Sequence, residues 1–141
     1  MFPTLFTNNI DALRLSWVFG DCSIITGMDW QLVFFIDEHD NEPVKDFILQ
    51  QPDGAIAEIL HVFKLLRQFG TTLGMPYVRK IHESGIRELR VKHGSDIYRI
   101  LFCADKVHKF ILLHAFLKKE DKLAKTDVSL AIQRMNSIKS G

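Results

Sequence analysis

The sequence predicts an α+β domain with a small, mostly antiparallel sheet of about four strands. Two N-terminal helices are expected on one face of this sheet, and a further helix at the C-terminus. The 141 residues include 47% apolar and 25% charged side chains, the balance of a globular protein with a sizeable core. Two stretches repeat apolar residues at helical spacing, and the run from Gly85 to Lys119 alternates as three consecutive strands do.

The first half of the predicted domain contains one strand and two helices. The apolar, aromatic-rich run Gln31–Asp37 is typical of a buried strand. Apolar residues at helical spacing predict a helix over Glu42–Gln50 and a longer amphipathic helix over Ala55–Phe69. Gly70 follows directly, at the position where a left-handed cap ends many helices. This order predicts two antiparallel helices on one side of the sheet.

The second half contains the remaining strands and the last helix. Tyr77–His82 is a candidate edge strand that follows a turn-like connector. Turns near Gly94 and Asp105 divide the next run into three strands. Thr126 is expected to cap the final helix, where apolar residues again recur at helical spacing.

The first 27 residues have no clear period and differ in pattern from the rest of the chain. They are either an added N-terminal arm or sequence read from an upstream start, and we favour Met28 as the natural start of a domain over residues 28–141. Asp11 and Arg14 stand where a signal peptide would be apolar. No run reaches the roughly 18 apolar residues of a membrane span. We therefore expect a cytoplasmic protein without membrane contact.

The cysteines argue against a disulfide framework or a zinc site, and the distribution of charge indicates which kind of partner the protein binds. Cys22 and Cys103 show no CxxC spacing, which favours reduced thiols over a disulfide framework or a zinc site. The net charge is only +1, but basic residues are concentrated between Lys80 and Lys125. A local basic surface on a near-neutral protein suits a protein that meets nucleic acid at one face. We expect no metal and no cofactor.

Two arginines are predicted to face each other across the first of the two turns. Pairing Lys92 with Ile97 places Arg90 opposite Arg99. Like charges directly opposite on one sheet face are destabilising. A sheet that tolerates them indicates a bound anion, and phosphate suits guanidinium groups best. The structural alternative is that Arg90 forms an ion pair with Glu88 of its own strand or with a neighbouring carboxylate.

Continuing the register through the second turn pairs Ile97 with His114, on the same face as the arginines. The opposite face is the one that the helices are expected to cover, and it carries Leu89, Val91, Tyr98, Ile100 and Phe102. The candidate catalytic cluster on the uncovered face consists of Arg90, Arg99, His114, Lys118 and Lys119.

RNA cleavage would use this cluster in two ways. Basic groups stabilise a pentacoordinate phosphate. A histidine titrates near neutral pH, so it can move protons to or from the attacking 2′-hydroxyl and the leaving 5′-oxygen. The alternative for His114 is a half-buried histidine without chemistry. Further RNA contacts are expected from Lys80, Lys92, His93 and Lys122.

Four short motifs stand in order before the C-terminal helix: LGMPYVRKI, GIRELR, YRILF and LLHAFLKK. In this order they resemble the phage-derived HigB-like branch of the RelE/ParE toxin superfamily, over about Trp30 to Ile138. The resemblance implies a RelE-like fold and the toxin of a type II toxin–antitoxin system. RelE- and HigB-like toxins enter the ribosomal decoding site and cut mRNA there without a metal, by attack of the 2′-hydroxyl on the adjacent phosphate. The implied partners are the ribosome, mRNA and an antitoxin of the helix-turn-helix type, with operator DNA reached only through the antitoxin complex.

For individual residues, the resemblance implies that Arg90 of ELR and Arg99 of YR bind phosphate and stabilise the transition state. Lys118 or Lys119 of LKK matches the basic position after the last strand. Where the RelE type has a lysine, this chain has Glu88, and Asp127 replaces a proline.

The chain also lacks the C-terminal tyrosine with which some members perform the chemistry, since no tyrosine follows Tyr98. The proton-transfer scheme of RelE therefore does not carry over, and His114 or His93 is the HigB-like candidate. Two other functions are compatible with the same sheet. One is a ParE-like inhibitor of DNA gyrase without nuclease activity, and the other is a degenerate toxin retained as a binding module.

Overall fold

A five-stranded mixed sheet forms the centre of the described part of the chain. The computed structural model describes residues 30–81, 83–105, 108–118 and 125–140. The strands are β1 (Gln31–Phe34), β2 (Val78–Lys80), β3 (Arg87–His93), β4 (Asp96–Asp105) and β5 (Lys109–Lys118), in the spatial order β1-β5-β4-β3-β2. Among these described strands, only the pair β1–β5 is parallel. The predicted α+β fold with a mostly antiparallel sheet is confirmed, and it is compatible with the RelE-like fold that the resemblance implies. The predictions for residues 1–27 and for Met28 lie outside the described residues.

Three helices of the described part pack on this sheet. They are α1 (Pro43–Leu49), α2 (Asp53–Phe69) and α3 (Lys125–Ser140). The first two match the predicted helices within a few residues. The third begins at Lys125, so Thr126 lies inside its first turn instead of capping it. Within the described ranges, no helix is both long and apolar enough to cross a bilayer.

One sheet face is buried under α1 and α2, as predicted. Its strand residues join the main core with Val44 and Ile48 of α1 and with the apolar stripe of α2. We call this the α1/α2 face, and it carries Leu89, Val91, Tyr98, Ile100 and Phe102. At the end of α2, Gly70 has a φ of +58°, and an added Cβ there would overlap the indole of Trp30. The predicted glycine with a positive φ is therefore found at the helix end, but its ψ of −133° lies outside the left-handed helical region of the predicted cap.

The opposite face is partly covered, and here the prediction of an open face is wrong. Apolar side chains of β4 and β5 also point to this second face, and Leu101 and Leu113 bury against Ala131 and Met135 of α3. Burying these residues favours docking of the helix, because their exposure would leave a large apolar patch on the sheet. We call this second face the basic face. The half of it nearer β2 carries Arg79, Glu88, Arg90, Lys92 and Arg99.

The strand register determines which side chains lie together on the basic face. The predicted hairpin is confirmed, since Arg90 pairs with Arg99 and Lys92 with Ile97. The predicted β4–β5 register is wrong: Ile97 faces Lys118, and His114 faces Leu101. The hairpin closes further along β4 than expected, and β5 carries an irregularity in its register. Because the displacement is by four residues, an even number, His114 stays on the predicted face.

Candidate functional site

The basic face presents its side chains in rows across neighbouring strands. One row is Lys92, Ile97 and Lys118, the next is Arg90, Arg99 and Phe116, and the third is Arg79, Glu88, Leu101 and His114. The backbone of Lys118 therefore lies where the prediction placed it, beside the arginines. The side chain of Lys118, and all of Lys119 and Lys122, lie outside the described part of the structure.

A buried carboxylate holds the arginines together. Glu88 is fully buried, and its Oε2 accepts a hydrogen bond from Nη1 of Arg99 at 2.6 Å. Its Oε1 lies 3.0 Å from Nη2 of Arg79 and 3.8 Å from Nε of Arg90. The sheet tolerates facing arginines because the chain supplies its own anion. The alternative of an ion pair between Arg90 and Glu88 is thus realised, and Arg99 pairs with the same carboxylate.

The three arginines differ sharply in access to solvent. The side chain of Arg99 is 1% exposed, that of Arg90 22% and that of Arg79 39%. A phosphate that approaches from solvent therefore meets Arg79 and Arg90, while Arg99 lies beneath them. Sequence reasoning missed Arg79, although strand alternation in the predicted edge strand, together with its pairing to Glu88, could have found it.

His114 forms a second charged pair on the same face. Its Nε2 lies 2.9 Å from Oδ1 of Asp127, which belongs to the first turn of α3. Both side chains are partly exposed, 17% for His114 and 20% for Asp127. The imidazole stacks on the ring of Phe116 with centroids 5.1 Å apart. Carboxylate and aromatic ring together restrict the orientation of the imidazole.

A β-bulge turns His114 onto the basic face. Leu112 pairs with Phe102 and His114 with Leu101, so that Leu113 is skipped in the described β4–β5 ladder. Without this extra residue, the alternation of β5 would place His114 on the α1/α2 face.

A side chain of α3, Arg134, contacts the backbone of the bulge. The carbonyl of Leu113 accepts a hydrogen bond from Nη1 of Arg134 at 2.7 Å. The guanidinium also lies 5.4 Å from the ring centroid of Phe35. Burial lowers the pKa of Arg134, and the nearby Asp37 carboxylate opposes this shift. Arg134 therefore anchors α3 to the strand residue that precedes His114.

Residues 46–136 match the family model described as Phage derived protein Gp49-like (DUF891). The chain belongs to the Gp49-like family. This family is associated with RelE-type, toxin-like proteins, which supports a toxin-like protein in general; the specific HigB-like branch stays a prediction. A search of curated proteins found no significant match.

Two predicted RNA contacts of this Gp49-like chain lie away from the cluster. Lys80 pairs with Arg87 at the sheet edge, on the side of the α1/α2 face. His93 is half-buried, and a Cβ added at Gly54 would lie 2.9 Å from its Cε1, so the ring packs on the start of α2. Lys92, by contrast, is exposed on the basic face next to Arg90.

A cavity opens beside the arginines of the Gp49-like domain. It has a volume of about 510 Å³ and lies between α2, the connector before β2 and the outer edge of β3. Arg90 and Lys92 line it together with Tyr77. The cavity is large enough for a nucleotide-sized group next to a cationic side chain.

Proposed function

We propose that this Gp49-like protein is the toxin of a type II toxin–antitoxin system and an mRNA endonuclease that acts on the ribosome. The cut is made without a metal ion, by attack of a 2′-hydroxyl on the adjacent phosphate. The observation that carries the proposal is the basic face, where Arg79 and Arg90 reach solvent on the same face as the pair of His114 and Asp127.

The charge of the cluster suits the transition state. Three guanidinium groups surround one carboxylate, which leaves an excess of two positive charges. A phosphodiester under attack by a 2′-oxygen becomes a doubly negative phosphorane, and fixed charges stabilise it more than the singly negative ground state. In this proposal, Arg79 and Arg90 contact the phosphate. Arg99 holds Glu88, which in turn orients both, and Lys118 or Lys119 adds charge at the end of β5.

The distances across the sheet fit a short RNA segment. His114 and Glu88 share a row and are two strands apart, roughly 10 Å at the usual strand spacing. A ribose held at His114 can therefore place its phosphate toward the arginines. The cavity lined by Arg90 and Tyr77 offers space for the neighbouring nucleotide.

The proposed partners derive from the toxin role. They are a ribosome with bound mRNA and an antitoxin of the helix-turn-helix type, through which alone the complex reaches operator DNA. The proposed compartment is the cytoplasm.

Expression in cells tests the proposal, with Arg79→Ala and Arg90→Ala as the variants. Both side chains are partly exposed, so their removal changes the surface more than the core. Arg87→Ala is the matched control, because it makes the same substitution on the α1/α2 side of β3. The wild-type chain and the control should arrest growth and create new RNA ends within translated messages. Loss of one phosphate-binding group should lower cleavage about 10²–10³-fold.

Three results would contradict the proposal. Cleavage by Arg90→Ala at the wild-type rate would show that the basic face takes no part in the reaction. Growth arrest with DNA damage signalling and without new RNA ends would indicate a gyrase inhibitor of the ParE type. Harmless overexpression of the wild-type chain would indicate a degenerate binding module.

A further inference from the structure

We infer that Asp127 is a positioning residue that prepares His114 to take the proton from the attacking 2′-hydroxyl. This inference rests on the proposed function and adds the proton-transfer half of the site. It begins from the contact between Nε2 of His114 and Oδ1 of Asp127, at 2.9 Å. A carboxylate oxygen only accepts hydrogen bonds, so Nε2 carries the proton in this contact.

The tautomer determines which nitrogen is left for chemistry. In a neutral imidazole with a proton on Nε2, Nδ1 has a free lone pair and is the atom that can act as a base. The carboxylate also stabilises the imidazolium that forms when Nδ1 accepts a proton. Stacking on Phe116 restricts rotation of the ring, so that Nδ1 keeps one direction.

The fold holds both members of the pair rigidly. Ala131 and Met135 of α3 are buried against the sheet one and two turns beyond Asp127, which holds the helix that carries the carboxylate. Arg134 of the same helix holds the carbonyl of Leu113 in the bulge that turns His114 onto the basic face. One helix thus positions the backbone and the imidazole of His114 by two separate contacts.

In the proposed step, His114 accepts one proton from the RNA. Nδ1 of His114 takes the proton of the 2′-hydroxyl while the 2′-oxygen forms a bond to phosphorus. The bond from phosphorus to the 5′-oxygen breaks, and the leaving oxygen takes a proton from water. The products are a 2′,3′-cyclic phosphate and a 5′-hydroxyl, and the imidazolium later returns its proton to solvent. Asp127 acts through its hydrogen bond with Nε2 of His114 and does not touch the RNA.

A double-mutant cycle tests this role against a purely structural one. The assay is single-turnover cleavage of a defined mRNA on purified ribosomes, with the wild-type chain, His114→Ala, Asp127→Asn and the double variant. We expect His114→Ala to lower the rate about 10²–10⁴-fold, the usual contribution of a general base. Asp127→Asn should lower it about 10–100-fold, as loss of an outer-shell partner does. The double variant should be no slower than His114→Ala alone, because Asp127 acts only through His114.

Two further variants and two further measurements separate positioning from folding. Asp127→Glu keeps a carboxylate and should recover part of the rate lost in Asp127→Asn. Asp46→Asn is the matched control, since it makes the same change in the first turn of α1, on the opposite face of the sheet from His114, and should cleave like the wild type. Asp127→Asn should also move the pH–rate profile, which a loss of helix stability alone would not do. Urea unfolding verifies that each variant is folded under the assay conditions.

Two kinds of result would overturn the inference, and they differ in whether the nuclease function stands. A wild-type rate for Asp127→Asn, or rate losses that multiply in the double variant, would overturn the inference while the nuclease function stands. Absence of cleavage by the wild-type chain, with ribosomes and mRNA that a known ribosome-dependent nuclease cuts, would overturn the proposed function and this role together.

Discussion

The strongest stability prediction concerns Glu88, the buried carboxylate beneath the basic face. Glu88→Gln keeps the shape of the side chain and one acceptor for Arg99, but removes the negative charge. The side chain of Arg99 is only 1% exposed, so solvent cannot replace the charge that Glu88 supplies there. Breaking a buried ion pair in this way costs about 3–5 kcal/mol. The ion pair with Arg79, whose side chain is 39% exposed, adds at most about 1 kcal/mol.

Urea unfolding followed by circular dichroism measures this loss. With a slope of about 2 kcal/mol per molar urea, a loss of 3–5 kcal/mol lowers the midpoint by about 1.5–2.5 M. This is a large part of the roughly 5–15 kcal/mol by which domains of this kind are stable. Glu58→Gln is the control, because Glu58 is exposed on α2 and its charge should change stability by less than about 0.5 kcal/mol.

A second variant tests whether the cost comes from the loss of the carboxylate that pairs with Arg99. Glu88→Leu combined with Arg99→Leu removes both partners, and should be far closer to the wild type in stability than Glu88→Gln, because hydrophobic residues can replace a buried ion pair at little cost. If Glu88→Gln shifted the midpoint by less than about 0.5 M at an unchanged slope, Glu88 would not be the counter-ion of Arg99, and the reasoning would be refuted.

Two further predictions concern the core. Gly70→Ala should lower stability by more than about 2 kcal/mol, because the new Cβ meets the Trp30 indole and the backbone has a φ of +58°; thermal unfolding checks this, and a wild-type midpoint would contradict it. Burial raises the pKa of the Cys103 thiol to about 11. In a Cys22→Ser chain the Cys103 thiol should therefore alkylate about 100-fold more slowly at a pH of about 8 than after unfolding in urea, since little thiolate is present below its pKa. Equal rates in the folded and unfolded chain would show that the thiol is not buried.

Local sequence determined the β3–β4 hairpin but not the β4–β5 register. The first hairpin closes over a short turn, so counting outward from it placed Arg90 opposite Arg99 correctly. In the second hairpin the pairing also depends on the bulge at Leu113. The carbonyl of Leu113 accepts a hydrogen bond from Arg134, 21 residues further along the chain, and no local sequence pattern reveals such a contact.

The sequence predicted which residues share the candidate site better than it predicted how deeply each of them is buried. Alternation placed the arginines and His114 on one face, and the structure confirms this. How far each side chain reaches solvent depends on where α3 docks and on which carboxylate lies beneath. Burial is a property of the tertiary fold, and for this reason Arg99 was predicted at the surface.

The two acidic residues that depart from the pattern implied by the resemblance have a common role in the structure. Glu88, in place of a lysine, lies beneath the arginines, and Asp127, in place of a proline, contacts His114. Each carboxylate therefore pairs with a cationic or protonatable group of the basic face. A lysine at position 88 would add a fourth cation to a buried site, and a proline at position 127 would leave the imidazole without its acceptor. A histidine oriented by Asp127 is the route that we propose for the proton, and the double-mutant cycle tests that route directly.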